Sequence, residues 1–185
     1  MKKIDLEFLR ACLDVDYDLG KLYWKHRPRE HFKNNNIFSR WNNKMPGNEA
    51  GCTRTDKNKR TSYSVLHISG HGHIAAHHII YCMFYNLDSK PYIDHIDQNG
   101  LNNSIHNLRE SDPSSNMKNK RRYRTNKTGI AGVRFSQDRM AWEVTIPCPT
   151  TGKSIYKRFK DLFEACCFRK SLELKLGYFK NHGSD

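Results

Sequence analysis

The sequence predicts an α+β chain of small antiparallel sheets and short helices, and three observations predict it. Apolar residues alternate around glycine-containing turns at 17–25 and again at 63–75, the pattern of hairpins. Between 92 and 119 the chain reads as a strand, a polar loop rich in Asn and Gly, and a helix opened by Asp112-Pro113. From Gly132 onward, three β-rich runs precede a helical stretch, a minimal two-layer arrangement. A length of 185 residues with 37% hydrophobic content allows one ordinary domain or two small ones and a modest core.

Taken in order, 4–13 carries apolar residues at 4, 6, 8, 9 and 13, a short amphipathic helix. The stretch 27–48, with its NNN run, Pro and Gly, predicts an extended loop. After the 63–75 hairpin, 77–85 predicts a helix apolar around most of its circumference, which must be buried. Strands follow at 92–96, 132–135, 142–146 and 154–159. A last helix is expected over 162–176, opened by Asp161-x-x-Glu164 in the manner of a capping box and closed by Gly177. Phe135, Phe159 and Phe163 are assigned to the core. The six cysteines contain no C-x-x-C pair, so they predict reduced, mostly buried thiols, with Cys166 and Cys167 filling core space.

Charge narrows the function. Against 19 acidic residues stand 32 Lys and Arg, a formal net of +13, which points to a polyanionic partner. The longest apolar run, 79–85, is too short to span a bilayer. The first residues, MKKIDLEFLRAC, lack the apolar region of a secretory signal, so the expected location is the cytoplasm. Residues 1–117 hold 16 basic and 13 acidic side chains, a net of +3, while 118–185 hold 16 and 6, a net of +10. Lys118, Lys120, Arg121, Arg122, Arg124 and Lys127 concentrate six positive charges without an acid, as expected of a basic linker lying along phosphates.

The chemistry is concentrated in 92–119. Adjacent Asp94 and His95 on a strand project to opposite sides. If the following helix packs back on that strand, Asn116 approaches Asp94 while His95 faces the opening. A carboxylate and a carboxamide suit a hard cation such as magnesium or manganese, and a neighbouring histidine can take a proton from water.

Through AHHIIYCMF, DHIDQNGLNNSIHNL and SSNMKN, the segment 65–119 resembles the HNH (ββα-metal) endonucleases, particularly the phage and intron-associated homing group. The resemblance implies a ββα-metal nuclease core preceded by N-terminal hairpin and helix elements. By position, it implies that His95 is the general base, that Asp94 and Asn116 are metal ligands, and that Asn107 holds the loop. An asparagine as the last ligand, where many relatives have histidine, resembles the Asn-ending homing subgroup. His77 stands where the family's lead-in has its histidine. It reads as a buried structural residue, with phosphate contact or support of the site as alternatives. His106 reads as loop surface.

The segment from 126 onward resembles the DNA-binding domain of the APETALA2 and ethylene-response type, through Gly132-Val133-Arg134, Trp142-Glu143-Val144, the strand before Arg158-Phe159, and Glu164-Ala165. That resemblance implies a sheet entering the major groove, with Arg134, Trp142, Lys157 and Arg158 facing DNA; a core position for Trp142 is the alternative. The expected organisation is an N-terminal region (1–60), a nuclease core (61–120), a basic linker (118–127) and a DNA-binding domain (128–182). The expected function is a site-specific, nicking DNA endonuclease. It would act as a monomer on double-stranded DNA with one divalent metal and no small-molecule cofactor. The alternatives are a non-catalytic DNA-binding regulator on a degenerate scaffold and an RNA-binding protein.

Overall fold

The computed structural model describes residues 5–56, 61–68, 72–89, 91–123, 125–148 and 150–184. Arg124 lies outside them. The architecture is α+β, with several small antiparallel sheets and five α-helices among the described residues. The chain divides into two compact units, Met1–Ser111 and Asp112–Asp185.

In the first unit, α1 (Leu6–Cys12) starts where the Asp5 carboxylate accepts the Phe8 amide at 2.9 Å. It runs into the antiparallel pair β1 (Leu13–Asp16) and β2 (Lys21–Trp24), which turns at Gly20 with φ +66°. The predicted loop over 27–48 is a correction. It holds a 3-10 turn at Arg29–His31 and the helix α2 (Asn35–Lys44). The asparagine run read as loop chemistry supplies the helix cap, because the Asn34 side chain accepts the Ile37 amide at 2.9 Å. Trp41 of α2 then packs edge-on to Trp24, ring centroids 5.0 Å apart, and the Arg27 guanidinium lies over Phe32 and Trp41.

A three-stranded sheet follows, β3 (Cys52–Thr55), β4 (Ser62–Ile68) and β5 (Gly72–Ala75), with β4 central. Strand β3 escaped the sequence because all of it is exposed and its CTRT run has no apolar alternation. The helix α3 (Ala76–Tyr85) is buried around most of its circumference, as expected. Leu9, Leu22, Leu66, Ile79 and Ile80 share one core, each burial contributing about 1.5–3 kcal/mol. That core extends from Leu9 to Leu108, so residues before and after position 60 fold together. Last come β6 (Ile93–His95) and β7 (Leu108–Glu110), paired antiparallel with Asp94 opposite Arg109.

The second unit opens with α4 (Pro113–Lys118), where Asp112 accepts the Ser115 amide at 2.9 Å. The strands β8 (Val133–Ser136), β9 (Ala141–Pro147) and β10 (Ser154–Phe159) form a sheet in the order β10-β9-β8, and α5 (Leu162–Lys175) packs across it. Asp161 caps α5 by accepting the Glu164 amide at 2.9 Å, and Gly177 follows at φ +66°. The buried stripe of α5 is Ala165, Arg169 and Glu173, one helical turn apart. Phe163 and Cys167 fall off that stripe and are exposed, which corrects their assignment to the core. Phe135 is exposed as well, while Phe159 and Phe168 pack together at 5.2 Å.

Arg169 on that stripe donates to Glu173 (2.9 Å) and to the Thr145 carbonyl (3.0 Å), so a satisfied ion pair lies under the sheet. The basic run is tied to the end of the chain. The Lys118 and Lys120 carbonyls accept the amides of Phe179 and Gly183, and the Arg122 amide donates to Ser184. No helix among the described residues is long and apolar enough to cross a membrane.

Candidate functional site

The three-residue pairing of β6 and β7 around Asp94 and His95 holds a loop, 96–107, whose shape is set by side chains. The Asn107 carboxamide donates to Asp97 Oδ1 (2.9 Å) and to the Asn102 carbonyl (2.8 Å), and its oxygen accepts the Asp97 amide at 3.0 Å. Burial works to raise the pKa of Asp97, but hydrogen bonds from the Asn102 side chain, the Asn99 amide and Asn107 outweigh it and hold the carboxyl below its usual range. One carboxamide and one carboxylate therefore close the loop into a rigid cradle.

Asp94 and His95 are buried at its base, 8% and 6% exposed. His95 Nε2 lies 3.1 Å from Asn103 Oδ1. Its ring meets His77 of α3 edge-on at 5.0 Å and Tyr63 of β4 at 6.2 Å. His77 is 8% exposed, and its Nδ1 is buried with no hydrogen-bond partner among the described residues. Burial, with His78 and His95 acting in the same direction, pushes its pKa down to about 3, so the ring is neutral.

Asp94 Oδ2 accepts from Arg109 Nη2 at 2.6 Å and Nε at 3.1 Å, straight across the β6–β7 ladder. The carboxylate expected to bind a metal thus carries a guanidinium on one oxygen. Among the described residues, no group of three or more His, Cys, Asp or Glu gathers as a metal site. Asp94, His95, Asn107 and His77 all belong to the first unit, whereas Asn116 sits exposed on α4 of the second. His106 is exposed, with Nε2 3.1 Å from Asp18 Oδ1.

In the second unit, strand alternation sorts the four residues expected to face DNA. Arg134, Glu143 and Arg158 stand in register across the three strands, on the side away from α5. Glu143, 3% exposed, accepts Arg134 Nε and Nη2 at 3.0 and 2.8 Å and the Tyr156 hydroxyl, which in turn accepts Arg158 Nε at 2.7 Å. The Tyr156 hydrogen bond, opposed by burial and helped by Arg134, holds the Glu143 carboxyl below its usual range. Trp142 and Lys157 point the other way, a correction to the expectation of one shared face. Trp142 packs on the Val133–Val144–Ala165 core, and Lys157 Nζ lies over the Phe168 ring at 4.8 Å. Along the basic run, Lys120, Arg121 and Lys127 are exposed, while Lys118 and Arg122 are half-buried.

No family model matches the chain. No solved structure matches it either. Over 85 residues, 45% of this chain, it is 38% identical to Protein 3.8 of Escherichia phage T7, and the match spans 69% of that protein. The chain belongs to the family of that phage protein. Membership in the Protein 3.8 family gives this chain a phage relative and leaves its chemistry to be argued from the site.

In this member of the Protein 3.8 family, sequence reasoning missed Asn103, Arg109 and Gly20. Asn103 was visible as one of the Asn102-Asn103 pair, but nothing local marked which partner it meets. Arg109 became legible only with the β6–β7 register. Gly20 touches the site from far upstream. A β-carbon there would lie 2.1 Å from the Asn103 carbonyl carbon, so only glycine admits this approach.

Proposed function

We propose that the chain is a metal-dependent DNA endonuclease in which His95 takes the proton from the attacking water. The observation that carries the reading is the loop itself. Asn107 and Asp97 close it by side-chain hydrogen bonds over a buried Asp94-His95 pair, an outlay of polar structure that a merely structural turn does not need. It is supported by the resemblance of 65–119 to HNH homing endonucleases and by the net charge of +13, suited to a phosphate backbone.

The donor chemistry fits a hard cation: Asp94 is a buried carboxylate that would hold it, with Asn116 the carboxamide ligand that the resemblance implies. A bound divalent ion would supply charge neutralisation at the phosphate and help for the leaving 3′ oxygen. The chain's own residues would do the rest. His95 accepts the proton, Asn107 holds the loop, and Arg109 offsets the Asp94 charge. The exposed lysines and arginines of the basic run, with Arg134 and Arg158, would bind the duplex. One site per chain predicts a nick by a monomer.

A supercoiled plasmid carrying the phage target should pass to open circle with magnesium or manganese. His95→Ala should lower the rate by about 10²–10⁴ without weakening DNA binding. A fully active His95→Ala protein would end the reading, and linear product at the earliest times would end the monomer picture.

One observation favours a second reading. The Arg109 guanidinium already balances Asp94 at 2.6 Å, as a scaffold that never binds metal would require. A DNA-binding regulator of this kind predicts tight duplex binding and no cleavage in any divalent metal.

A further inference from the structure

We infer that Asn103 is a positioning residue that sets the tautomer of His95, and that the turn of the β1–β2 hairpin holds Asn103 in place to do so. The importance of that tautomer rests on His95 being the base proposed above; the geometry that sets it does not. A carboxamide oxygen only accepts hydrogen bonds. With Asn103 Oδ1 3.1 Å from His95 Nε2, the imidazole hydrogen sits on Nε2, and Nδ1 is the basic nitrogen. The opposite tautomer would set two acceptors against each other in a buried place, which costs free energy comparable to a lost hydrogen bond.

Asn103 is itself 2% exposed and has little freedom to turn away. Its amide donates to the Leu101 carbonyl at 3.2 Å. Two residues on, the Ile105 amide donates to the Tyr17 carbonyl at 2.9 Å, which ties the loop to the hairpin turn. Between them Gly20, at φ +66°, presses its Cα against the Asn103 backbone so closely that no side chain fits. The hairpin is therefore a clamp behind the carboxamide, and an N-terminal element with no reactive group of its own orients the histidine. The His95 ring also meets His77 edge-on, centroids 5.0 Å apart, so it is packed as well as hydrogen-bonded.

The test is ¹⁵N nuclear magnetic resonance of the full chain labelled at histidine, at a pH well above the ordinary histidine pKa, with His95 assigned by its loss in His95→Gln. The wild type should show His95 as the Nε2–H tautomer. Asn103→Asp, which keeps an acceptor oxygen in place, should retain it and most of the nicking rate. Asn103→Leu should give the Nδ1–H form or a mixture and lower nicking by at least about tenfold. An Nδ1–H tautomer in the wild type, or an unchanged Nε2–H tautomer in Asn103→Leu, overturns the inference. The wild-type spectrum decides between these even where the leucine variant fails to fold. A wild type with the Nε2–H tautomer that never nicks DNA supports the role of Asn103 and overturns the nuclease reading alone.

Discussion

The His77 imidazole lies in α3 beside His95, and burial holds its pKa at about 3 against an ordinary value near 6.5. Between those values the unfolded chain binds a proton that the folded chain refuses. The folded state keeps its full stability above pH 6.5 and loses about 1.4 kcal/mol per pH unit as the pH falls toward 3. His77→Leu removes this dependence. In urea denaturation at pH 7 and pH 5, the wild type should lose about 2 kcal/mol more than the variant between the two conditions. Equal losses would mean that His77 is charged in the folded protein. The sequence made part of this legible. An apolar run such as 77–85 has to be buried, and the histidine at its start goes with it. That His77 meets His95 and Tyr63 was not legible, because those contacts join residues of three separate elements.

Among the elements, two helices and a hairpin show where local patterns succeed. Capping chemistry located α5 and the start of α4, since Asp161 and Asp112 act on amides three residues away. The same chemistry misled over α2, where Asn34 caps a helix from within a run that also spells a loop. Asn34→Ala should cost about 1 kcal/mol of stability and leave nicking unchanged, because α2 packs through Trp41 on Trp24 and Phe32 and carries none of the residues proposed to act in the reaction. Gly20→Ala should cost more than that and should also slow nicking, since the new methyl strikes the Asn103 backbone at a positive φ. Thermal denaturation and the plasmid assay, run on both variants, separate the two kinds of damage. A Gly20→Ala protein as active as Asn34→Ala would show that the hairpin does not act on the site.

For the whole molecule, the excess of charge lies in 118–185, a net of +10. Its distribution over surfaces is decided by strand alternation. Arg134 and Arg158 stand on the open face of the sheet, bracketing Glu143, while Lys157 lies over Phe168. Arg134→Ala and Arg158→Ala should each weaken duplex binding and flatten the dependence of log affinity on log salt by about one unit. Lys157→Ala should leave that slope unchanged. A titration of binding against salt concentration reads all three, and an equal effect of Lys157→Ala would place DNA on the helix side instead.

The amino-acid order alone determined the local features of this protein: the hairpins, the strand-loop-helix run at 92–119, the capped last helix and the excess of positive charge. Each depends on residues a few positions apart, where backbone sterics, capping and periodicity act. Tertiary structure decided what those features do together. It put Asn103 against His95, Arg109 on Asp94, Gly20 behind Asn103 and Lys157 under the sheet. Contacts of that kind follow from strand register and core packing across the chain, and a single distant partner leaves no periodic mark in the sequence that meets it.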